Sequence, residues 1–269
     1  MAASLKQRGH GTAADTSSKE QPLVWPLLHK PPPHVRGESV VTPLIFVWTF
    51  VWLALTLKWY APTGSYALWA WLAFHLSYGA VTAYLGYTGV FLRNTKYLLP
   101  TFVALAGVFV DVAGVLLPGR LQDEAAAMLS AIPLPWLLAV QYPRLLAFVT
   151  FIKWYNGTFP TGWAWGVGLA DFIYAVPMAV VHVLLSQGYT VSNDTLLLVS
   201  IPGILVAPFA VVFMYVYLPS PWGIWYTAGK SPDTREVLSW PMVLMPLHAI
   251  PFSVEIQVFT LVKALVGFN

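Results

Sequence analysis

The chain of 269 residues contains no cysteine. This absence excludes disulfide bonds, thiolate catalysis, iron–sulfur clusters and cysteine-ligated zinc. Charged residues are also scarce: they make up 9% of the chain, whereas a soluble domain carries about 25%. Motifs for phosphate-binding loops, dinucleotide-binding turns, zinc proteases and nucleophile elbows are absent as well. The sequence therefore predicts no cofactor, no metal and no nucleic-acid partner.

Hydrophobic residues, in contrast, are abundant and make up 58% of the chain. Seven apolar runs are each long enough to cross a hydrocarbon core of about 30 Å. They occupy residues 43–60, 66–92, 98–118, 128–152, 163–187, 195–218 and 240–266. We therefore predict an all-α, multi-pass integral membrane protein in contact with the lipid bilayer. A bundle of seven transmembrane helices at 41–269 would follow a disordered polar tail at 1–40.

The lysines and arginines of the short loops predict the orientation of the bundle, because cytoplasmic loops are enriched in them. Seven spans would place ten of these residues on the side of the N-terminus and three on the opposite side. The first group is Lys6, Arg8, Lys19, Lys30, Arg36, Arg93, Lys96, Lys153, Lys230 and Arg235, and the second is Lys58, Arg120 and Lys263. We therefore predict an N-terminus inside and a C-terminus outside.

Two opposite charges occur deep inside adjacent apolar runs. Arg144 lies nine residues before Lys153, and Asp171 lies nine residues after Gly162. At about 1.5 Å per residue, both charges would lie about 13 Å from the same surface of an antiparallel helix pair. A lone charge at this depth costs several kcal/mol, so we predict a buried ion pair. Its role is either to lock the helices together or to contribute to a site.

The remaining ionisable residues of the runs are candidates for chemistry. Counted from the inner surface, Asp111, Glu255 and His75 lie about 20–25 Å deep, and His248 lies in a shallower layer with the ion pair. Asp111 has no partner that the sequence reveals. We predict that Asp111 and Glu255 share one site, with His75 and His248 beside them, in a cavity bounded by the runs 66–92, 98–118, 163–187 and 240–266.

Buried carboxyls and many aromatic residues suggest a particular chemistry. A carboxylic acid kept neutral by an apolar site can protonate an alkene or epoxide, and aromatic faces stabilise the resulting carbocation. The leading hypothesis is therefore a membrane isomerase or terpene-cyclase-like enzyme that acts on a small lipophilic, isoprenoid or sterol-like substrate. Asp111 or Glu255 would be the acid, and His75 or His248 would orient it or remove a proton later.

Three other hypotheses fit the same residues. A proton-coupled transporter or channel would use the Asp, Glu and His residues as a proton relay. A haem b protein would need two of the histidines His75, His182 and His248 to face each other. An accessory subunit of a membrane complex would need no chemistry at all.

Overall fold

The structure is a computed structural model that describes residues 38–226 and 232–266. The described residues are mostly helical and contain no strand, which confirms the all-α class. Residues 1–37 of the predicted tail at 1–40 lie outside the described residues. The last three residues of that range are helical, because the first helix begins at Glu38.

The longer helices are joined by short turns and by irregular helical segments. The α-helices are α1 (Glu38–Tyr60), α2 (Tyr66–Tyr87), α3 (Val90–Arg93), α4 (Leu99–Leu116), α5 (Arg120–Ala131), α6 (Leu134–Ala139), α7 (Val149–Tyr155), α8 (Thr161–Trp163), α9 (Leu169–Ser186), α10 (Asn193–Val216) and α11 (Ile250–Val266). Shorter 3₁₀ turns span Thr95–Tyr97, Tyr142–Phe148 and Arg235–Leu238, and π turns span Ala164–Gly168 and Met245–Ala249.

Five helical segments of the described chain are long and apolar enough to cross a membrane, which indicates a multi-pass membrane protein. They are Thr42–Tyr60, Leu134–Tyr155, Thr161–Ser186, Asn193–Val216 and Met245–Leu265. The two other predicted runs form α2 and α4, and neither is among these five segments. Part of α4, Leu99–Asp111, is apolar but shorter than a membrane span. Tyr, Trp and His residues dilute the apolar character of α2. The structure therefore supports five spans by length and composition, not seven.

The fourth predicted run is divided differently from the prediction of 128–152. Its first residues belong to α5, and the apolar segment starts again at Leu134. From there α6, a 3₁₀ turn and α7 follow one another, and the interruption coincides with Pro143. Proline removes a backbone donor and clashes with the preceding turn, so it breaks a regular helix. Arg144 lies in this interruption.

The outer surface of the spans is apolar, as lipid contact requires. On α10 the exposed side chains include Leu198, Ile201, Leu205 and Phe209, and only 28% of this span is buried. An apolar surface of this extent is uncommon on soluble proteins and indicates contact with another apolar phase. Polar side chains of the spans are instead buried between the helices.

Candidate functional site

The carboxylate of Asp111 has two neighbours on α2. His75 places Nε2 at 3.0 Å from Asp111 Oδ1, and Trp71 donates its indole N–H to the same oxygen at 2.8 Å. All three side chains are buried. The spacing of Trp71 and His75, four residues apart on one helix, puts both side chains on the same face. Sequence reasoning left Asp111 without a partner, because the partners lie on another helix.

Glu255 of α11 completes this group. One ligand atom each of His75, Asp111 and Glu255 lies within 4.8 Å of the others, so the two carboxyls are close neighbours. Two carboxyls this close in an apolar environment do not both carry a charge without a large free-energy cost. The structure thus brings together three residues from three helices, which we call the acid cluster. Their catalytic roles stay a prediction.

His248 lies next to the acid cluster. Its ring packs edge-to-face on His75, with 5.8 Å between the ring centroids, and Phe46 and Phe50 cover it at 5.0 and 5.3 Å. His248 belongs to the π turn Met245–Ala249. An extra residue per turn changes the direction of the side chains.

The acid cluster opens onto a cavity of about 360 Å³. Asp111 and Glu255 form part of its wall, while the rest is mainly aromatic and aliphatic. The aromatic residues of the lining are Trp52, Trp71 and Phe259, and the aliphatic ones include Leu53, Val108, Ala125, Ala126, Met128, Leu129, Ile132, Leu137, Val254, Ile256, Val258 and Val262. A few polar groups in an apolar pocket of this size are typical of a small-molecule site.

The helices around this cavity differ in part from the predicted set. Residues of α2, α4 and α11 line it as expected, but α1, α5 and α6 contribute as well. The run 163–187 contributes none of the lining residues. The prediction relied on polar residues within each run, whereas α1 and α5 supply mostly apolar side chains.

Arg144 and Asp171 form a second buried group. Arg144 Nη1 lies 3.2 Å from Asp171 Oδ1 and donates to the carbonyl oxygen of Gly203 at 3.0 Å. The Arg144 guanidinium lies over the ring of Tyr174, 4.8 Å from its centroid. The side chains of Gln257 and Tyr174 both lie against Gly203. We call this group the ion-pair cluster. Neither charged residue lines the cavity.

A further buried ion pair escaped sequence reasoning. Lys153 Nζ lies 2.7 Å from Glu236 Oε1, and both side chains are almost fully buried. Lys153 was read as a loop residue on the inner surface, and Glu236 lies in a polar connection. Only the 3₁₀ turn Arg235–Leu238, which folds back onto the bundle, brings them together. Charge spacing along the chain carries no signal for such a pair.

Helix α5 is attached to the bundle at both ends. The Glu124 carboxylate accepts the backbone N–H groups of Ala67 and Leu68 at the start of α2, at 3.1 and 3.2 Å. Arg120 donates to Glu124 at 2.5 Å and to the carbonyl of Gly64 at 2.7 Å. Burial alone raises the pKa of Glu124, but the hydrogen bonds from Arg120 and from these backbone groups lower the pKa below its usual range.

The other end of α5 is held by α11. Lys263 Nζ donates to the carbonyl oxygens of Leu129 and Ser130, at 2.9 and 3.1 Å. A cation at the C-terminus of a helix satisfies carbonyl groups that have no partner within the helix and interacts favourably with the helix dipole. Helix α5 is therefore fixed over the cavity, and its residues Ala125 and Met128 form part of the lining.

The histidine arrangement does not favour bis-histidine haem ligation. His75 directs Nε2 at Asp111, and His182 places Nδ1 at 2.5 Å from the Tyr142 hydroxyl. These two nitrogen atoms therefore face other partners and not a second histidine.

Comparisons of the chain with family models, curated proteins and solved structures returned no match.

Proposed function

We propose that the protein is a membrane-embedded enzyme that isomerises or cyclises a lipophilic, isoprenoid or sterol-like substrate by acid catalysis. The observation that carries this proposal is the position of two neighbouring carboxyls, Asp111 and Glu255, in the wall of an apolar cavity with aromatic residues. Such a wall excludes water, which would otherwise intercept a carbocation. It also keeps a carboxylic acid neutral, which is the form that donates a proton.

The two acids would have different roles. Asp111 accepts from Trp71 and lies beside His75, so its side chain is held in place from α2. Glu255 lies in the cavity wall without such a contact to α2, and it is the proton donor of the proposal. Asp111 would orient Glu255, while His75 would orient Asp111. His248, which contacts His75 and not the cavity, would be a positioning residue.

The reaction begins when the Glu255 O–H bond breaks and the proton adds to an alkene carbon or epoxide oxygen of the substrate. With an alkene, the π electron pair forms the new C–H bond and leaves a carbocation. With an epoxide, a lone pair of the oxygen forms the new O–H bond, and the C–O bond then breaks with its electrons moving to that oxygen, which leaves a hydroxyl group and a carbocation. Trp52, Trp71 and Phe259 supply π-electron density to this cation. Loss of a proton from a neighbouring carbon back to the Glu255 carboxylate forms the product alkene and restores the acid.

The test is turnover by the purified protein with uncharged prenyl alcohols, prenyl epoxides and sterol precursors, analysed by mass spectrometry. Glu255→Gln and Asp111→Asn should lower turnover by about 10²- to 10⁴-fold, the usual contribution of general acid catalysis. Asp123→Asn is the matched control, because Asp123 is an exposed carboxyl of α5 outside the cavity lining. Equal activity of wild type, Glu255→Gln and Asp111→Asn would overturn the proposal. Proton flux into proteoliposomes without any substrate would favour the transporter.

The same residues support a second candidate, a metal-dependent hydrolase of a lipophilic substrate. One nitrogen and two carboxylate oxygens, with ligand atoms within 4.8 Å of one another, resemble the three-ligand sets of catalytic metal ions. A bound divalent ion would supply an activated water for hydrolysis at the cavity wall. Metal analysis separates the candidates. A stoichiometric ion that is lost in His75→Ala would favour the hydrolase, whereas chelator-resistant turnover by metal-free protein favours the acid.

We also propose that α2 and α4 cross the membrane, which gives seven spans with the N-terminus inside and the C-terminus outside. The support is the ten-to-three distribution of lysines and arginines, together with the burial of His75 and Asp111 between apolar helices. Tags at both termini and between α2 and α4, probed with protease in sealed inside-out vesicles, test this topology. Cleavage of the N-terminal tag and of the tag between α2 and α4 is expected, without cleavage of the C-terminal tag. Protection of the tag between α2 and α4 would contradict the crossing of α2, and identical accessibility of the two terminal tags would contradict an odd number of spans.

A further inference from the structure

The cavity has one side that faces outward between helices. On this side the lining includes Ala126 of α5 together with Val258 and Val262 of α11, and all three are exposed. Val258 and Val262 expose 43% and 39% of their surface. Val258 and Val262 lie on one of the five candidate membrane spans, at most three helical turns from Glu255. The exposed side of the cavity therefore faces hydrocarbon and not water.

The side of the cavity towards the polar surface is covered by α5. Its two attachments, through Glu124 to the start of α2 and through Lys263 to Leu129 and Ser130, hold it in place. Between these attachments α5 presents Ala125 and Met128 to the cavity. A ligand that came from water would have to displace this helix, whereas a ligand from the bilayer would pass between α4, α5 and α11.

The lining also restricts the chemistry of the ligand. Apart from the two acids, the polar side chains of the lining are Thr56, Gln122 and the indoles of the tryptophans, and none of the described residues that line it is cationic. A phosphate or carboxylate would face the acid cluster without a counter-charge. Burying an unpaired ion in apolar surroundings costs several kcal/mol or more. The lining therefore disfavours a negative charge on the ligand portion inside the cavity.

The volume sets a further limit. A cavity of about 360 Å³ lies within the range of pockets that bury a small molecule. A two-tailed lipid is too large to be enclosed in it. One hydrocarbon chain, or one or two small rings, fits, and the rest of a longer molecule would extend past Val258 into the bilayer.

We propose that the cavity binds an uncharged, single-chain or small cyclic lipid, which enters sideways from the bilayer between α4, α5 and α11. This inference rests on the proposed function only in placing the reactive end of the lipid at Glu255. Binding itself depends on the shape and polarity of the cavity. Val258, Val262 and Ala126 then control access and set the size of the accepted chain.

The experiment uses the full-length protein in proteoliposomes with a photoactivatable diazirine alkyl alcohol and a carboxylic acid of the same chain length. Labelled peptides are mapped by mass spectrometry. The alcohol should label peptides of α5 and α11 that line the cavity, and the ionised acid should not. Val258→Trp and Ala126→Trp each place a larger side chain at the exposed side of the cavity, on two different helices. Each should reduce cavity labelling about tenfold, corresponding to about 1.4 kcal/mol. Val212→Trp on α10 is the control, since it also faces outward but lies outside the cavity lining.

The labelling result is independent of turnover. Glu255→Gln should keep its cavity labelling, because the amide is close in size and the wall stays apolar. Labelling without turnover of any substrate would remove the proposed function and leave the lipid site standing. Labelling that is unchanged in both Val258→Trp and Ala126→Trp, or equal for the alcohol and the ionised acid, would overturn the lipid site and its entrance.

Discussion

The acid cluster and the ion-pair cluster are both buried in the same bundle, yet they differ in charge balance and in packing. The ion-pair cluster matches one cation with one anion, and Tyr174 and Gly203 pack against Arg144. The acid cluster combines two carboxyls with a histidine and borders a cavity. Buried charge that is neutralised and tightly packed indicates structure, whereas buried acid beside a void indicates chemistry.

The largest expected effect comes from the same change made in both clusters. Glu255→Gln replaces the proposed proton donor by a neutral side chain of similar size that has no acidic proton. Turnover should therefore fall by about 10²- to 10⁴-fold, with little change in thermal stability. Asp171→Asn leaves Arg144 without its anion, so stability should fall by about 3–5 kcal/mol. Turnover and melting temperature in detergent are measured for both variants. Loss of stability in Glu255→Gln equal to that in Asp171→Asn would mean that the acid cluster is structural.

A double substitution tests whether the ion-pair cluster acts through its charge balance. Arg144→Gln leaves Asp171 buried and unpaired, at a cost of about 3–5 kcal/mol, while Arg144→Gln combined with Asp171→Asn leaves two neutral groups. The double variant should therefore be more stable than the single one. Urea or thermal unfolding in detergent measures the difference. A double variant that is no more stable than Arg144→Gln would show that the two charges contribute independently.

The two clusters were not equally accessible from sequence. Arg144 and Asp171 flank one short loop, so helix geometry alone brings them to equal depth, and the structure places them in contact. His75, Asp111 and Glu255 come from runs far apart in the chain. Their residue type and depth suggested one site, but the tertiary packing of α2, α4 and α11 decides it. Nothing in the sequence marks Trp71 as the donor to Asp111.

Two kinds of feature were beyond sequence reasoning. The π turn that contains His248 changes the register of the helix without a distinct sequence signal. Helix α5 was divided between a loop and the fourth run, because its apolar face is short and its charged residues resemble a loop. Its contacts with Gly64 and with Lys263 are tertiary, and they turn this segment into the cover of the cavity.

Glycine substitutions compare the packing beside the two clusters, at Gly203, whose carbonyl accepts from Arg144, and at Gly107, one turn before Asp111 on α4. A Cβ at Gly203 would lie 2.5 Å from Tyr174 Cε2 and would overlap the Gln257 amide, whereas at Gly107 it would lie 3.1 Å from Tyr78. Both glycines are helical, so the gain in helix propensity on changing to alanine cancels in the comparison. Gly203→Ala should cost about 1–3 kcal/mol more than Gly107→Ala, as overpacking does. Equal stabilities would mean that the ion-pair cluster is not the more tightly packed one.

The smallest effect concerns the attachment of α5, the cover of the cavity, and it depends on pH. The pKa of Glu124 is lowered in the folded protein from the usual glutamate value of 4.5, chiefly because hydrogen bonds from Arg120 and from the backbone of Leu68 and Ala67 outweigh the effect of burial. A lowered pKa stabilises the folded state fully above the unfolded value, and this contribution is lost as the pH falls towards the folded value. Wild type should therefore be more stable than Glu124→Gln at neutral pH, and this difference should shrink only below about pH 4.5. The melting temperatures of both proteins, recorded between neutral and acidic pH, measure this difference. The effects of the other carboxyls on stability cancel in the difference, because both proteins contain them. A difference that shrinks already between pH 7 and pH 5 would contradict the lowered pKa.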